Sequence, residues 1–117
     1  MGHESDEAYE TARAVSSVLA RRGADATGGR DPAEVAREWV GQGFDDAEEV
    51  EAWLDAGCLD AAGARRLEEA GITPEQAALR TRAGASGEED TLGRKLSRGD
   101  LSLEEARRII TREFWHD

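Results

Sequence analysis

Between Asp31 and Leu79 one short unit recurs with a period of fourteen residues, and no other feature restricts the possible folds of this chain as strongly. Trp39, Trp53 and Leu67 share one phase, Gly43, Gly57 and Gly71 follow four residues later, and Phe44, Cys58 and Ile72 come directly after each glycine. A helix-start signal comes next each time. Asp31-Pro32-Ala33-Glu34 supplies an N-cap oxygen, a proline where no N–H is needed, and a glutamate that reaches back to the cap. Asp45-Asp46-Ala47-Glu48 repeats the device, and Thr73-Pro74-Glu75-Gln76 restores it in full. Leu59-Asp60-Ala61-Ala62 is a reduced form that places an acid in the first turn. The glycines suit the left-handed residue that ends a helix. Four helices of about nine residues are therefore predicted, too short to persist alone in water, so each must bury its apolar stripe against the others. Trp39 and Trp53 anchor those stripes, with Val35, Val50, Leu54 and Ala64 beside them.

The flanks are also helical. Residues 6–22 carry Ala8, Ala12, Val15 and Leu19 at helical spacing, with Ser5 before them and Gly23 after. Ala24 to Arg30 reads as a linker, as does the stretch 81–90 with Gly84, Ala85, Ser86 and Gly87. Beyond it, Leu92 and Leu96 mark a short helix. Ser102-Leu103-Glu104-Glu105 is a capping box that opens a final helix with Leu103, Ala106, Ile110 and Phe114 on one stripe. At 100° per residue Trp115 falls off that stripe. The expected fold is all-α: a small helical bundle of about seven short capped helices. Its parts are an N-terminal helix (1–23), a linker (24–30), the repeat core (31–80), a second linker (81–90) and a C-terminal hairpin (91–117).

At 117 residues such a chain builds one small core. Its formal charge is -11, and the segment 31–79, with 3 basic and 13 acidic residues, carries -10 of it. Segment 91–117, with 6 basic and 5 acidic residues, is nearly neutral. Fourteen of the fifteen cations are arginine and Lys95 is the only lysine, which reads as a GC-rich, bacterial-like coding bias or as a salt-adapted surface. The single Cys58 excludes an intrachain disulfide and makes a reducing compartment the default. No run approaches a membrane span and the N-terminal stretch is acidic rather than signal-like, so a cytoplasmic protein is expected. Met1-Gly2-His3 reads equally as a native start or a cloning remnant.

Chemistry is scarce. His3 and His116 lie near the ends of the chain, and Cys58 shares the phase of Phe44 and Ile72, which marks it as a small core hydrophobe. No serine has the setting of a hydrolase nucleophile. Residues 23–30 lack the Lys and Ser/Thr of a phosphate loop, and Asp25 to Ala36 lacks the glycine and final acid of a calcium loop. No catalytic residue, metal ligand or cofactor is assigned, and an enzyme is not expected. The arginines of the C-terminal hairpin suggest a helix-turn-helix, yet Glu104 and Glu105 stand where a recognition helix needs donors. DNA binding is not expected. That basic strip suits instead an acidic partner or the chain's own repeat.

Residues 33–69 resemble the UBA-like three-helix domain. Gly43-Phe44 matches its Gly-Phe turn, Trp53 the apolar position nine residues on, Gly57 its second loop, and Ala64 and Leu67 its third helix. The resemblance implies a compact interaction module with Phe44 and the Leu67 end of the third helix as contacts. Residues 92–110 resemble the SHOCT short C-terminal hairpin through Leu96, Gly99, Leu101, Ser102, Glu104 and Glu105. Such hairpins are appended to other domains and implicated in assembly. The leading expectation is a non-enzymatic acidic interaction or regulatory module that binds a basic macromolecular partner, a protein. The contact candidates are Gly43, Phe44, Asp45, Asp46, Glu48, Glu49, Glu51 and Trp115. An assembly module using the C-terminal hairpin, and an inhibitor that mimics nucleic acid, are the alternatives.

Overall fold

The computed structural model describes residues 3–114 and the side chains of residues 10–114. It is all-α: α1 (His3–Arg22), α2 (Ala24–Thr27), α3 (Pro32–Gly41), α4 (Ala47–Asp55), α5 (Ala61–Glu69), α6 (Pro74–Ala77), α7 (Leu92–Ser97) and α8 (Leu103–Phe114). Two strands of two residues, β1 (Arg80–Thr81) and β2 (Asp90–Thr91), pair antiparallel between α6 and α7. Trp39, Trp53 and Phe44 fill the centre. The Trp39 and Phe44 rings meet edge to face at 5.2 Å, and Phe44 and Trp53 do so at 6.4 Å. Helix α1 lies along α3 and reaches α4, burying Val15, Val18 and Leu19 in the same core.

The fourteen-residue period belongs to the helix ends. Gly43, Gly57 and Gly71 have φ of 96°, 88° and 86°. In each unit the N–H after the glycine returns to the carbonyl five residues back: Phe44 to Trp39 at 3.1 Å, Cys58 to Trp53 at 2.9 Å and Ile72 to Leu67 at 2.9 Å. The two residues so linked are buried in the same core, and Phe44 packs edge to face on Trp39. Helix starts drift around this frame. The caps are Asp31, Asp46, Asp60 and Thr73, so the second start lies one residue later than a strict period from Asp31 gives. Asp60 is itself the N-cap rather than a first-turn acid, and its side chain makes no capping bond.

The same end motif returns in the C-terminal hairpin. Gly99 has φ of 76°, and the Asp100 N–H donates to the Lys95 carbonyl at 2.8 Å. Lys95 and Gly99 fall two full periods after Leu67 and Gly71, so the repeat resumes in phase after one skipped unit. In place of that unit stand α6, cut to four residues, and the β1–β2 ladder. Helix α6 ends at Ala77, and beyond it the Leu79 carbonyl accepts from the Leu92 N–H, which extends the ladder.

Two expected linkers are folded. Residues 24–27 form α2, with Ala26 and Thr27 buried and the Thr27 hydroxyl donating to the Gly23 carbonyl at 3.4 Å. The stretch 81–90 is held at its base by the ladder and at its tip by Asp100, described below. Local composition signals a turn but not what the turn docks against, which is why both read as linkers.

Helix α7 approaches the α4–α5 turn backbone to backbone. The buried Thr91 hydroxyl donates to the Ala56 carbonyl at 2.6 Å and accepts from the Arg94 N–H at 3.2 Å, so one side chain caps α7 and ties it to the end of α4. A Cβ on Gly93 would lie 2.3 Å from the Ala56 carbonyl oxygen and 2.8 Å from Cys58 Sγ. Gly93→Ala is expected to cost about 1–3 kcal/mol by forcing α7 off that turn. A urea melt should show a lower midpoint with an unchanged slope.

Candidate functional site

Arginines pair with part of the acidic surface. Arg22 pairs with Glu51 and Asp55, Arg30 with Glu34 and Glu38, and Arg65 with Glu68 and Glu69. Arg80 and Arg82 take Glu89, Arg94 and Arg98 take Asp90, and Arg108 takes Glu104. Each exposed pair adds about 0–1 kcal/mol, so their main effect is on the surface field. The start of α4 is different. Asp45, Asp46, Glu48 and Glu49 fall within five residues, and among the described residues none of them is in an ion pair. Asp46 spends one oxygen on the cap, accepting from the Glu48 N–H at 2.9 Å. Asp45 and Glu48 point their charge at solvent, since both are exposed.

Glu49 is half-buried, and its carboxyl is held above the ordinary carboxylate range. Burial is the main cause, followed by the hydrogen bond and charge of Glu68 and the charge of Asp46. The Trp53 indole N–H opposes the shift as a nearby dipole, outside good hydrogen-bond geometry. This carboxyl therefore ionises against its neighbours, and a cation placed at the start of α4 would relieve it.

The sequence-derived contacts divide accordingly. Gly43, Asp45, Asp46 and Glu48 are exposed side by side, with Glu49 behind them. Phe44 is a correction: it is 1% exposed and wedged between the two tryptophans, because the residue after each glycine faces the core. Glu51 is a second correction, since Arg22 reaches it at 3.4 Å from α1. Trp115 lies outside the described residues, as does His116. Arg107 of the basic strip donates to the Ala70 carbonyl at 3.1 Å, so part of that strip docks on the chain's own α5 end.

The second polar cluster was not anticipated. Lys95 is fully buried, the only charged residue in the buried class among the described residues, and its Nζ lies 3.0 Å from Asp100 Oδ2. The Ser86 hydroxyl donates to Oδ2 at 2.6 Å and its N–H to Oδ1 at 2.7 Å, while Lys95 Nζ reaches Ser86 Oγ at 3.4 Å. The pair stands where the other units place Trp39 on Phe44 and Leu67 beside Ile72. A signal was present in the sequence: the only lysine falls in the tryptophan phase. A compact ammonium fits that position where a guanidinium fork needs more room.

The cluster clamps a loop. The Ser86 oxygen serves as partner to the carboxylate and the ammonium, and the carboxylate that accepts its hydrogen bond is too weak a base to take its proton. The Ser86 hydroxyl, Lys95 and the Ser86 N–H hold Asp100 well below its ordinary value, at about 2. Because the folded value is depressed, the stabilisation is present at neutral pH and is lost as pH falls from about 4 through about 2. Protection of the Ser86 amide, taken relative to its intrinsic exchange rate at each pH, should hold down to pH 4 and fall below it, and Asp100→Asn should remove that acid dependence.

Burial pushes the Cys58 thiol up to about 12, so it stays protonated and packs as a hydrophobe. Among the described residues no three His, Cys, Asp or Glu side chains are gathered as metal ligands, and no helix is long and apolar enough to cross a membrane. Comparison of the chain with family models, with curated proteins and with solved structures found no match.

Proposed function

We propose that this chain is a non-enzymatic interaction or regulatory module and that the start of α4 is its docking surface for a basic protein partner. One observation carries this: Asp45, Asp46, Glu48 and Glu49 lie within five residues and none is in an ion pair among the described residues, whereas arginines pair Glu34 and Glu38 of α3 and Glu68 and Glu69 of α5, and other unpaired acids such as Asp60, Glu75 and Glu113 stand singly. A surface meant only for solubility needs no such cluster. The Glu49 carboxyl, raised first by burial and then by Glu68 and Asp46, would be relieved by a guanidinium or ammonium from a partner. The sequence resemblances to UBA-like domains and to short assembly hairpins point to the same broad class, compact helical modules that act by contact.

The test compares two variants of equal charge. Asp45→Asn with Glu48→Gln and Glu49→Gln removes three bare acids. Glu34→Gln with Glu38→Gln and Glu69→Gln removes three that are already paired. In pull-downs from a bacterial lysate, a basic protein released by salt should be retained by the wild type and the second variant and lost from the first. Equal retention by all three proteins would reduce the α4 acids to a solubility feature.

A further inference from the structure

Helix α8 carries one apolar stripe, Leu103, Ala106, Ile110 and Phe114, whose middle is buried and whose two ends are open. Leu103 is 40% and Phe114 is 48% exposed. The ends are eleven residues apart, about 16 Å along the helix. At the Leu103 end lies a cleft of about 240 Å³ between α5 and the α7–α8 turn, floored by Gly63, Leu67, Leu96 and Leu101 with Arg66 at its rim. An apolar cavity of roughly 150 Å³ already admits benzene, so a phenyl ring fits. At the other end Glu113 precedes Phe114. Neither Arg66 nor Glu113 is in an ion pair among the described residues, and their charges are opposite.

We infer that copies of this chain associate head to tail, the Phe114 ring of one entering the cleft beside Leu103 of the next, with Glu113 meeting Arg66. The cleft and the ring sit at opposite ends of one rigid helix, so a chain cannot satisfy its own cleft. The contact joins two different patches and leaves a free ring and a free cleft on every pair, so growth continues by addition. One ring in one cleft covers far less than the roughly 1,200 Å² of a stable complex, so the association is weak and seen at high protein concentration. It uses none of the α4 acids and stands independently of the proposed partner surface.

Sedimentation of the full chain over a range of concentrations tests this. The wild type should show a weight-average mass that rises without a plateau, while Phe114→Asp and Leu103→Glu each stay monomeric with helical content unchanged by circular dichroism. Both sites are exposed, so both variants fold. Mixing the two variants is the decisive arm: the ring of Leu103→Glu can enter the cleft of Phe114→Asp, so the mixture should form a dimer and stop there. Arg66→Glu should weaken wild-type association several-fold, and adding Glu113→Arg should restore it. A wild type that remains monomeric at millimolar concentration overturns the inference. So does association that survives both substitutions, which another surface would then carry, or a mixture that stays monomeric, which would mean a symmetric contact.

Discussion

Trp53→Ala is expected to lower the stability of the domain by about 3–5 kcal/mol. Against a total of about 5–15 kcal/mol for a domain of this kind, that loss leaves the chain close to unfolding. The side chain is fully buried, packs edge to face on Phe44, and stands at the centre of a core that is otherwise mostly alanine, valine and leucine. Trp39→Ala should cost a similar amount, since Trp39 meets the same ring from the other side. Trp39→Phe should cost much less, because its indole N–H reaches no acceptor among the described residues and only packing is lost. Chemical denaturation followed by far-ultraviolet circular dichroism checks all three. A tryptophan serving as a surface contact would show almost no loss on truncation.

The second large effect falls on a charged pair. Lys95→Met should cost about 3 kcal/mol, because it strips the Asp100 carboxylate of its ammonium partner while the Ser86 loop still covers it. Replacing both partners should behave differently. Lys95→Leu with Asp100→Ile rebuilds the apolar contact that Leu67 and Ile72 make two periods earlier, and the double variant should be as stable as the wild type or more so. The Ser86 N–H and hydroxyl that lose their acceptor are in an exposed loop, where water replaces the carboxylate. A double-mutant cycle in urea gives the coupling directly. The ion pair then emerges as a choice of loop anchor, tying the skipped unit to the last one at no gain in stability.

Much of this fold is legible in the sequence because its turns are chemically specific. Only glycine takes φ near 90° without strain, so Gly43, Gly57 and Gly71 announce three helix ends, and the aromatic and aliphatic residues five apart across them announce the core. The starts are less legible. Asp, Ser and Thr cap from more than one register, which is how Asp45 and Asp46 exchange roles and how Asp60 reads as a first-turn acid. Least legible are contacts between units. Nothing within 81–90 says that Ser86 will meet Asp100, and nothing near α6 says that the Leu79 carbonyl will accept from the Leu92 N–H. For the candidate site, the sequence locates the acids but not the arginines that face them. Glu51 and the α4 start look alike until Arg22 arrives from α1, 29 residues upstream. Phe44 misleads for the opposite reason: a Gly-Phe turn looks like an exposed tip, and the end motif turns that ring inward.

The central functional claim is that bare negative charge is concentrated at one helix start. Chemical-shift mapping of the uniformly labelled chain during titration with an arginine-rich peptide addresses this most directly. Amides from Gly43 to Val50 are predicted to shift first and furthest, with the shifts reversed by salt and absent from the Asp45→Asn, Glu48→Gln, Glu49→Gln variant. Shifts spread equally over the acids of α3, α4 and α5, including those already paired with Arg30 and Arg65, would contradict it.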